Sequence, residues 1–197
     1  LFNIAIGAES ADNGNVFING KSISQIPIHL RNKMGLGYLP QTRSLFDTLS
    51  TFNNIYGLMQ LHEPNNKKAL EKTEMLIERF NLSHLRSVKA GALSGGESKR
   101  CLLARLMITN PKVVLIDEVW SQTDPLVVQD MQKYILQIQS QGVSVLISDH
   151  TIQTLFETTD RNYLIDDGQI LAEGTKRELL KNSEAIKKYF GTGFNSY

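Results

Sequence analysis

Lys112-Val113-Val114-Leu115-Ile116-Asp117-Glu118 is a short, unbroken apolar run that ends in two carboxylates. A run of this kind suits a strand buried on both faces of a parallel sheet, which commits the chain to an α/β layer architecture. In open α/β sheets, ligands sit outside the carboxyl ends of the strands, where Asp117 and Glu118 fall. Asp117 is suited to hold Mg²⁺, directly or through water, and Glu118 to polarise an attacking water. Read alone, the run also fits a strand that simply ends in solvated acids. Val143–Ser148 is a second strand of the same type, followed by Asp149-His150. A histidine at a strand's carboxyl end, beside a phosphate site, can donate a hydrogen bond to a γ-phosphate, although a lone histidine is more often structural or solvated. Tyr38-Leu39-Pro40-Gln41 places a glutamine after a third apolar segment, where the Gln41 amide oxygen can serve Mg²⁺ or water.

Leu93-Ser94-Gly95-Gly96-Glu97 adds the start of a helix. Ser94 and Glu97 have capping-box spacing, with the hydroxyl serving a backbone N–H and the carboxylate reaching back. An ordinary N-cap accounts for these two residues. It does not account for Gly95-Gly96, since each glycine costs a helix about 1 kcal/mol relative to alanine. Bare backbone at the positive end of a helix lets a phosphate approach the exposed N–H groups. The apolar-rich run Cys101–Ile108 then continues as a buried helix. Ser121-Gln122-Thr123-Asp124-Pro125 opens the next helix, and Asp124 as N-cap with Pro125 at the first helical position explains itself.

With 197 residues and 41% hydrophobic content, the chain can bury one substantial core. A formal net charge of +1 gives no argument for a nucleic-acid or anionic-membrane surface. The single cysteine, Cys101, excludes an intrachain disulfide and fits a reducing compartment. No run approaches the roughly 20 apolar residues of a membrane span, so membrane association is expected to go through a partner. The patterning predicts a strand over Gly14–Gly20. It predicts an amphipathic helix over Asn65–Phe80, with Ala69, Leu70, Leu76, Ile77 and Phe80 on a related face. A second helix is expected over Leu126–Ser140, with Val127, Met131, Tyr134, Ile135 and Ile138 inward and Gly142 just past its end. Asp167-Gly168 between Asn162–Ile165 and Gln169–Ala172 predicts a hairpin, and Glu178–Phe190 a closing helix. The whole reads as a parallel α/β core interrupted by a helical subdomain.

In this order, the motifs resemble the nucleotide-binding subunits of ABC transporters over essentially the whole chain. Gln41 matches the Q-loop, Leu93–Glu97 the signature, Val113–Glu118 the Walker B strand, Ser121–Asp124 the D-loop and His150 the switch histidine. A narrower resemblance, to the lipopolysaccharide-export ATPases, rests on Gly37–Gln41, Leu45-Phe46, Leu49-Ser50, Asp160-Arg161, Asp167-Gly168, Ala172–Thr175 and Tyr189–Gly191. The resemblance implies a P-loop NTPase-like fold with a RecA-like sheet core (1–41 and 111–197) and a helical subdomain (42–110). It implies ATP and Mg²⁺ as cofactors, and a head-to-tail homodimer with two ATP molecules between subunits. Gln41, Asp117, Glu118 and His150 of one subunit would face Ser94, Gly95, Gly96 and Glu97 of the other, with Asp124 beside the nucleotide. It also implies membrane permease partners and a cytoplasmic location, peripheral on the inner membrane. Apolar Leu45, Phe46 and Leu49 could receive a coupling helix of the permease, or could be core of the helical subdomain.

The pattern G-x-x-x-x-G-K-[ST], which cradles phosphates, does not occur in the sequence. Gly20-Lys21-Ser22 with Gly14 upstream has five residues between the glycines instead of four, and Val16-Phe17-Ile18 fills that gap with a β-prone run. It reads as a strand and turn. By resemblance Leu1–Gly7 correspond to the helix after the P-loop, so an N-terminally truncated chain, inactive alone, is expected. Two segments depart from the family inside the matched region: Val119-Trp120 stand where proline usually follows the Walker B glutamate, and Gln122-Thr123 make the D-loop polar. Val119 lacks the ring that fixes φ, which loosens the expected turn behind Glu118. The rival readings are another transporter ATPase, such as a branched-chain amino-acid importer, and a non-catalytic module that supplies only the signature face. A DNA-repair ATPase is disfavoured because no long heptad insertion separates Gln41 from Leu93.

Overall fold

Positive φ at Asn19 (50°) and Gly20 (75°) turns the chain back on itself, as a two-residue hairpin requires. In this computed structural model, which describes residues 1–120 and 124–190, Gly20-Lys21-Ser22 is therefore a turn and a strand. The strand expected over Gly14–Gly20 is confined to β1 (Phe17–Ile18), paired antiparallel with β2 (Lys21–Ser22). Before it lies the short helix α1 (Phe2–Ile6), and after it α2 (Ile28–Lys33). Phe2, Ile6, Ile18, Ile23, Leu36 and Leu115 form a common buried cluster. Arg31 lies inside this region with 4% of its surface exposed. Its guanidinium donates to the carbonyls of Ile4 (2.7 Å), Ala5 (2.7 Å), Ser24 (2.8 Å) and Ile26 (2.6 Å).

The three apolar segments form one parallel sheet in the order β3 (Leu36–Leu39), β4 (Val113–Asp117), β5 (Ser144–Ser148). The register pairs Leu39 with Ile116 and Asp117 with Ser148, which aligns the carboxyl ends. In β4, Val114, Leu115 and Ile116 are buried, as a central strand demands. β5 departs from the expected type. It pairs only with β4 among the described residues, and Leu146 is 44% exposed.

Between β3 and β4 run α3 (Thr51–His62), α4 (Asn66–Arg79) and α5 (Gly95–Leu106), which pack against one another. Ser50 caps α3 and Asn65 caps α4 through their side chains. The buried stripe of α4 runs through Ala69, Thr73, Leu76 and Ile77, with Phe80 just past its end. Leu70, expected inward, falls on its margin and is exposed. Cys101 is buried in α5, and burial pushes its thiol up to about 11. In α6 (Pro125–Gln139), Met131, Tyr134, Ile135 and Ile138 are buried, Val127 is half-buried, and Gly142 adopts φ 82° after the helix end.

Contacts divide the chain into two compact units, Leu1–His150 and Thr151–Tyr197. The second holds α7 (Ile152–Thr158) and the hairpin β6 (Asn162–Asp166) and β7 (Gln169–Gly174). Asp167 (φ 47°) and Gly168 (φ 73°) make the predicted turn. The closing helix expected over Glu178–Phe190 is broken into α8 (Lys176–Leu179), α9 (Ser183–Ala185) and a π-type turn over Ile186–Phe190. The break has a local cause, since Asn182 accepts from the N–H groups of Glu184 and Ala185 and caps a new helix. Phe156, Leu164, Ala172, Leu179, Ala185 and Phe190 form the core of this unit. Among the described residues, no helix is long and apolar enough to cross a membrane.

Candidate functional site

The aligned carboxyl ends of β3, β4 and β5 bring the acidic and amide groups together. Asp117 accepts from the Ser148 hydroxyl through one carboxylate oxygen and from the Tyr38 hydroxyl, at 3.3 Å, through the other. Burial, then the Asp117 charge and this hydrogen bond, push the Tyr38 phenol above its ordinary pKa. Glu118 follows with φ 47°, a left-handed conformation for a side-chain-bearing residue, and its N–H donates to the Ser148 carbonyl at 2.8 Å. The Gln41 amide nitrogen then donates to a Glu118 carboxylate oxygen at 2.5 Å. The amide oxygen was the Gln41 atom expected to act, whereas the contact found here uses the nitrogen.

The capping box at the start of α5 forms as predicted. The Ser94 N–H donates to the Glu97 carboxylate at 2.8 Å, and the Glu97 N–H to the Ser94 hydroxyl at 3.3 Å. The Ser94 backbone donor and then its side chain hold the Glu97 carboxyl below its usual range. The two glycines separate in role. A Cβ on Gly95 would meet open space, leaving its backbone approachable, whereas a Cβ on Gly96 would stand 3.0 Å from both Val127 methyls. Packing of α5 on α6 is therefore sufficient reason for Gly96. Gly95 lines a cleft of about 220 Å³ together with Gln41, Lys99, Asp117 and Glu118.

His150 stands apart from that lining, with its side chain 68% exposed and 3.9 Å from the Asp149 carboxylate, which is wholly buried. Asp124 caps α6 by accepting from the Leu126 N–H at 2.8 Å. Ser121, Gln122 and Thr123 of the expected D-loop lie outside the described residues. Phe46 (55%) and Leu49 (40%) are exposed and Leu45 is half-buried, so Phe46 and Leu49 are not core of the helical region.

Four residues of this site escaped sequence reasoning. Tyr38 and Ser148 hold Asp117; Ser148 is Asp117's register partner, a relation visible only once the strands are paired. Lys99 donates from Nζ to the Val119 carbonyl at 2.5 Å, and Asp149 accepts from the Trp120 N–H at 3.0 Å. Burial lowers the Lys99 pKa, and the Asp149 charge opposes that shift.

Among the described residues, no cluster of three or more His, Cys, Asp or Glu could hold a metal. Mg²⁺ is commonly bound by one or two carboxylates plus substrate phosphates, and each oxygen of Asp117 keeps acceptor capacity beyond its one donor. The family model described as ABC transporter matches residues 1–121. The lipopolysaccharide export system ATP-binding protein LptB of Haemophilus influenzae is 35% identical over 98% of this chain and 80% of its own length. LptB of Escherichia coli K12 is 34% identical with the same coverage. An ATP-binding cassette of an ABC transporter, crystallised in its ADP conformation, superposes with a TM-score of 0.82 at 27% identity, covering 96% of this chain and 82% of that one. The fold is shared at lower identity by cbiO1 of Clostridium perfringens (TM-score 0.83, 22% identity, 95% of this chain and 76% of that one). With the family model matching residues 1–121, 35% identity to an ABC ATPase over 98% of the chain and a shared α/β architecture, the chain belongs to the ABC transporter family, as an ATP-hydrolysing ATP-binding subunit.

Proposed function

We propose that this chain powers lipopolysaccharide export from the inner membrane, acting from its cytoplasmic face with membrane permease partners. The 35% identity to an export-system ATPase over 98% of the chain supports the substrate class. The observation that carries the catalytic reading is the Gln41–Glu118 hydrogen bond at the sheet's carboxyl edge, beside Asp117. Glu118 orients and polarises the attacking water, Gln41 fixes the Glu118 carboxylate, and His150 donates to the γ-phosphate. Asp117 holds Mg²⁺, which when bound offsets charge on the phosphoryl oxygens. Ser94, Gly95 and Gly96 present the helix start to the ATP of a second copy in a head-to-tail dimer, with Glu97 keeping the cap and Asp124 beside the nucleotide. Residues 42–110 serve as a helical subdomain between core segments 1–41 and 111–197. Exposed Phe46 and Leu49 receive a helix of the permease.

Glu118→Gln in the ATP-hydrolysing subunit is expected to abolish turnover and accumulate an ATP-bound dimer, measured by phosphate release and size-exclusion chromatography. Near-normal turnover would overturn the assignment of Glu118. Depletion of the protein is expected to hold lipopolysaccharide in the inner membrane. Co-purification with a periplasmic amino-acid-binding protein would replace export by import.

A further inference from the structure

The turn that carries Glu118 is gripped from two sides. On one side, the Lys99 ammonium of α5 donates to the Val119 carbonyl at 2.5 Å. On the other, the Asp149 carboxylate accepts the Trp120 N–H at 3.0 Å. The two grips face each other electrostatically, because the Asp149 charge favours the charged form of Lys99. The turn and its acidic partner are enclosed, with Val119 4% exposed, Trp120 2% and the Asp149 side chain not at all, while Lys99 is half-buried at the cleft wall. The turn needs such a grip. Glu118 at φ 47° occupies a left-handed conformation unfavourable for a residue with a side chain, which persists only where surrounding structure over-determines it. No proline ring restricts the next residue, since Val119 stands there.

We propose that Lys99 and Asp149 are positioning residues that lock the Val119-Trp120 turn and so hold the Glu118 carboxylate on Gln41. The functional part of this rests on the reading of Glu118 as the water-polarising residue. The lock has a geometric corollary. Lys99 belongs to the helix that begins with Gly95-Gly96, and Asp149 directly precedes His150. A displacement of the helix start is therefore transmitted to Glu118 through one side chain, which couples engagement of a second copy to the placement of the attacking water.

Trp120 is the only tryptophan of the chain, so its fluorescence reports this turn alone. In the unmodified protein, Trp120 emission is expected at short wavelength and shielded from acrylamide. Lys99→Met, which keeps the buried stem, and Asp149→Ala are each expected to shift emission to longer wavelength and raise quenching, with far-UV circular dichroism unchanged. Lys99→Arg, which keeps a charged donor, is expected to retain the short-wavelength emission. Unchanged emission and quenching in both Lys99→Met and Asp149→Ala would overturn the lock. Should both variants lose their far-UV signal, hydrogen exchange of the Trp120 amide in the unmodified protein decides: slow exchange supports its bond to Asp149, and exchange at the rate of an open amide refutes it. The outcomes for the two readings separate. A Glu118→Gln variant that turns over normally removes the role of Glu118 and leaves the lock standing, whereas an unmoved Trp120 removes the lock and leaves that role untouched.

Discussion

Arg31 shows how one side chain can organise a region that its sequence neighbourhood does not advertise. Its four carbonyl partners come from α1 and from the segment before α2, up to 27 positions away. Arg31→Met keeps much of the stem's packing but orphans these carbonyls, so a loss of about 3 kcal/mol is expected by urea denaturation. The Ser94–Glu97 cap was legible because both partners lie within one turn and the spacing alone states the bond. Tyr38–Asp117 and Lys99–Val119 were not, because 79 and 20 positions separate the partners and only strand pairing or helix docking brings them together. The cap has a pH signature. The folded pKa of Glu97 lies below the reference value of 4.5, so its contribution to stability is present above that value and is lost as pH falls through the folded value. Glu97→Gln keeps an acceptor without titrating, and its melting temperature is expected to fall less steeply on acidification.

At the scale of elements, Gly95 and Gly96 look equivalent in sequence and are not so in space. Gly95→Ala meets open space and is expected to stabilise by up to about 1 kcal/mol while weakening ATP-dependent dimerisation. Gly96→Ala drives a methyl against Val127 and is expected to destabilise by about 1–3 kcal/mol. Denaturation and nucleotide-dependent sedimentation, run on both variants, separate packing from recognition. The same contrast explains which elements could be read. β4 and the Asp167-Gly168 hairpin declare themselves through a run and a turn whose signals are local. The break at Asn182 did not, because polar patterning continues across it and only the backbone reveals which residue the amide caps.

At the scale of the molecule, the sheet of the first unit ends, among the described residues, at β5. Apolar runs in sequence mark strands without saying which one pairs on both sides, and the order β3, β4, β5 supplies that answer. The buried Cys101 bears on labelling experiments. A thiol held near 11 and enclosed in α5 is almost entirely protonated at neutral pH and closed to reagents. Within these 197 residues Cys101 is expected to react slowly with maleimides, so a cysteine introduced on Gly95's open face or at exposed Phe46 would carry a dye or spin label with little competition from it.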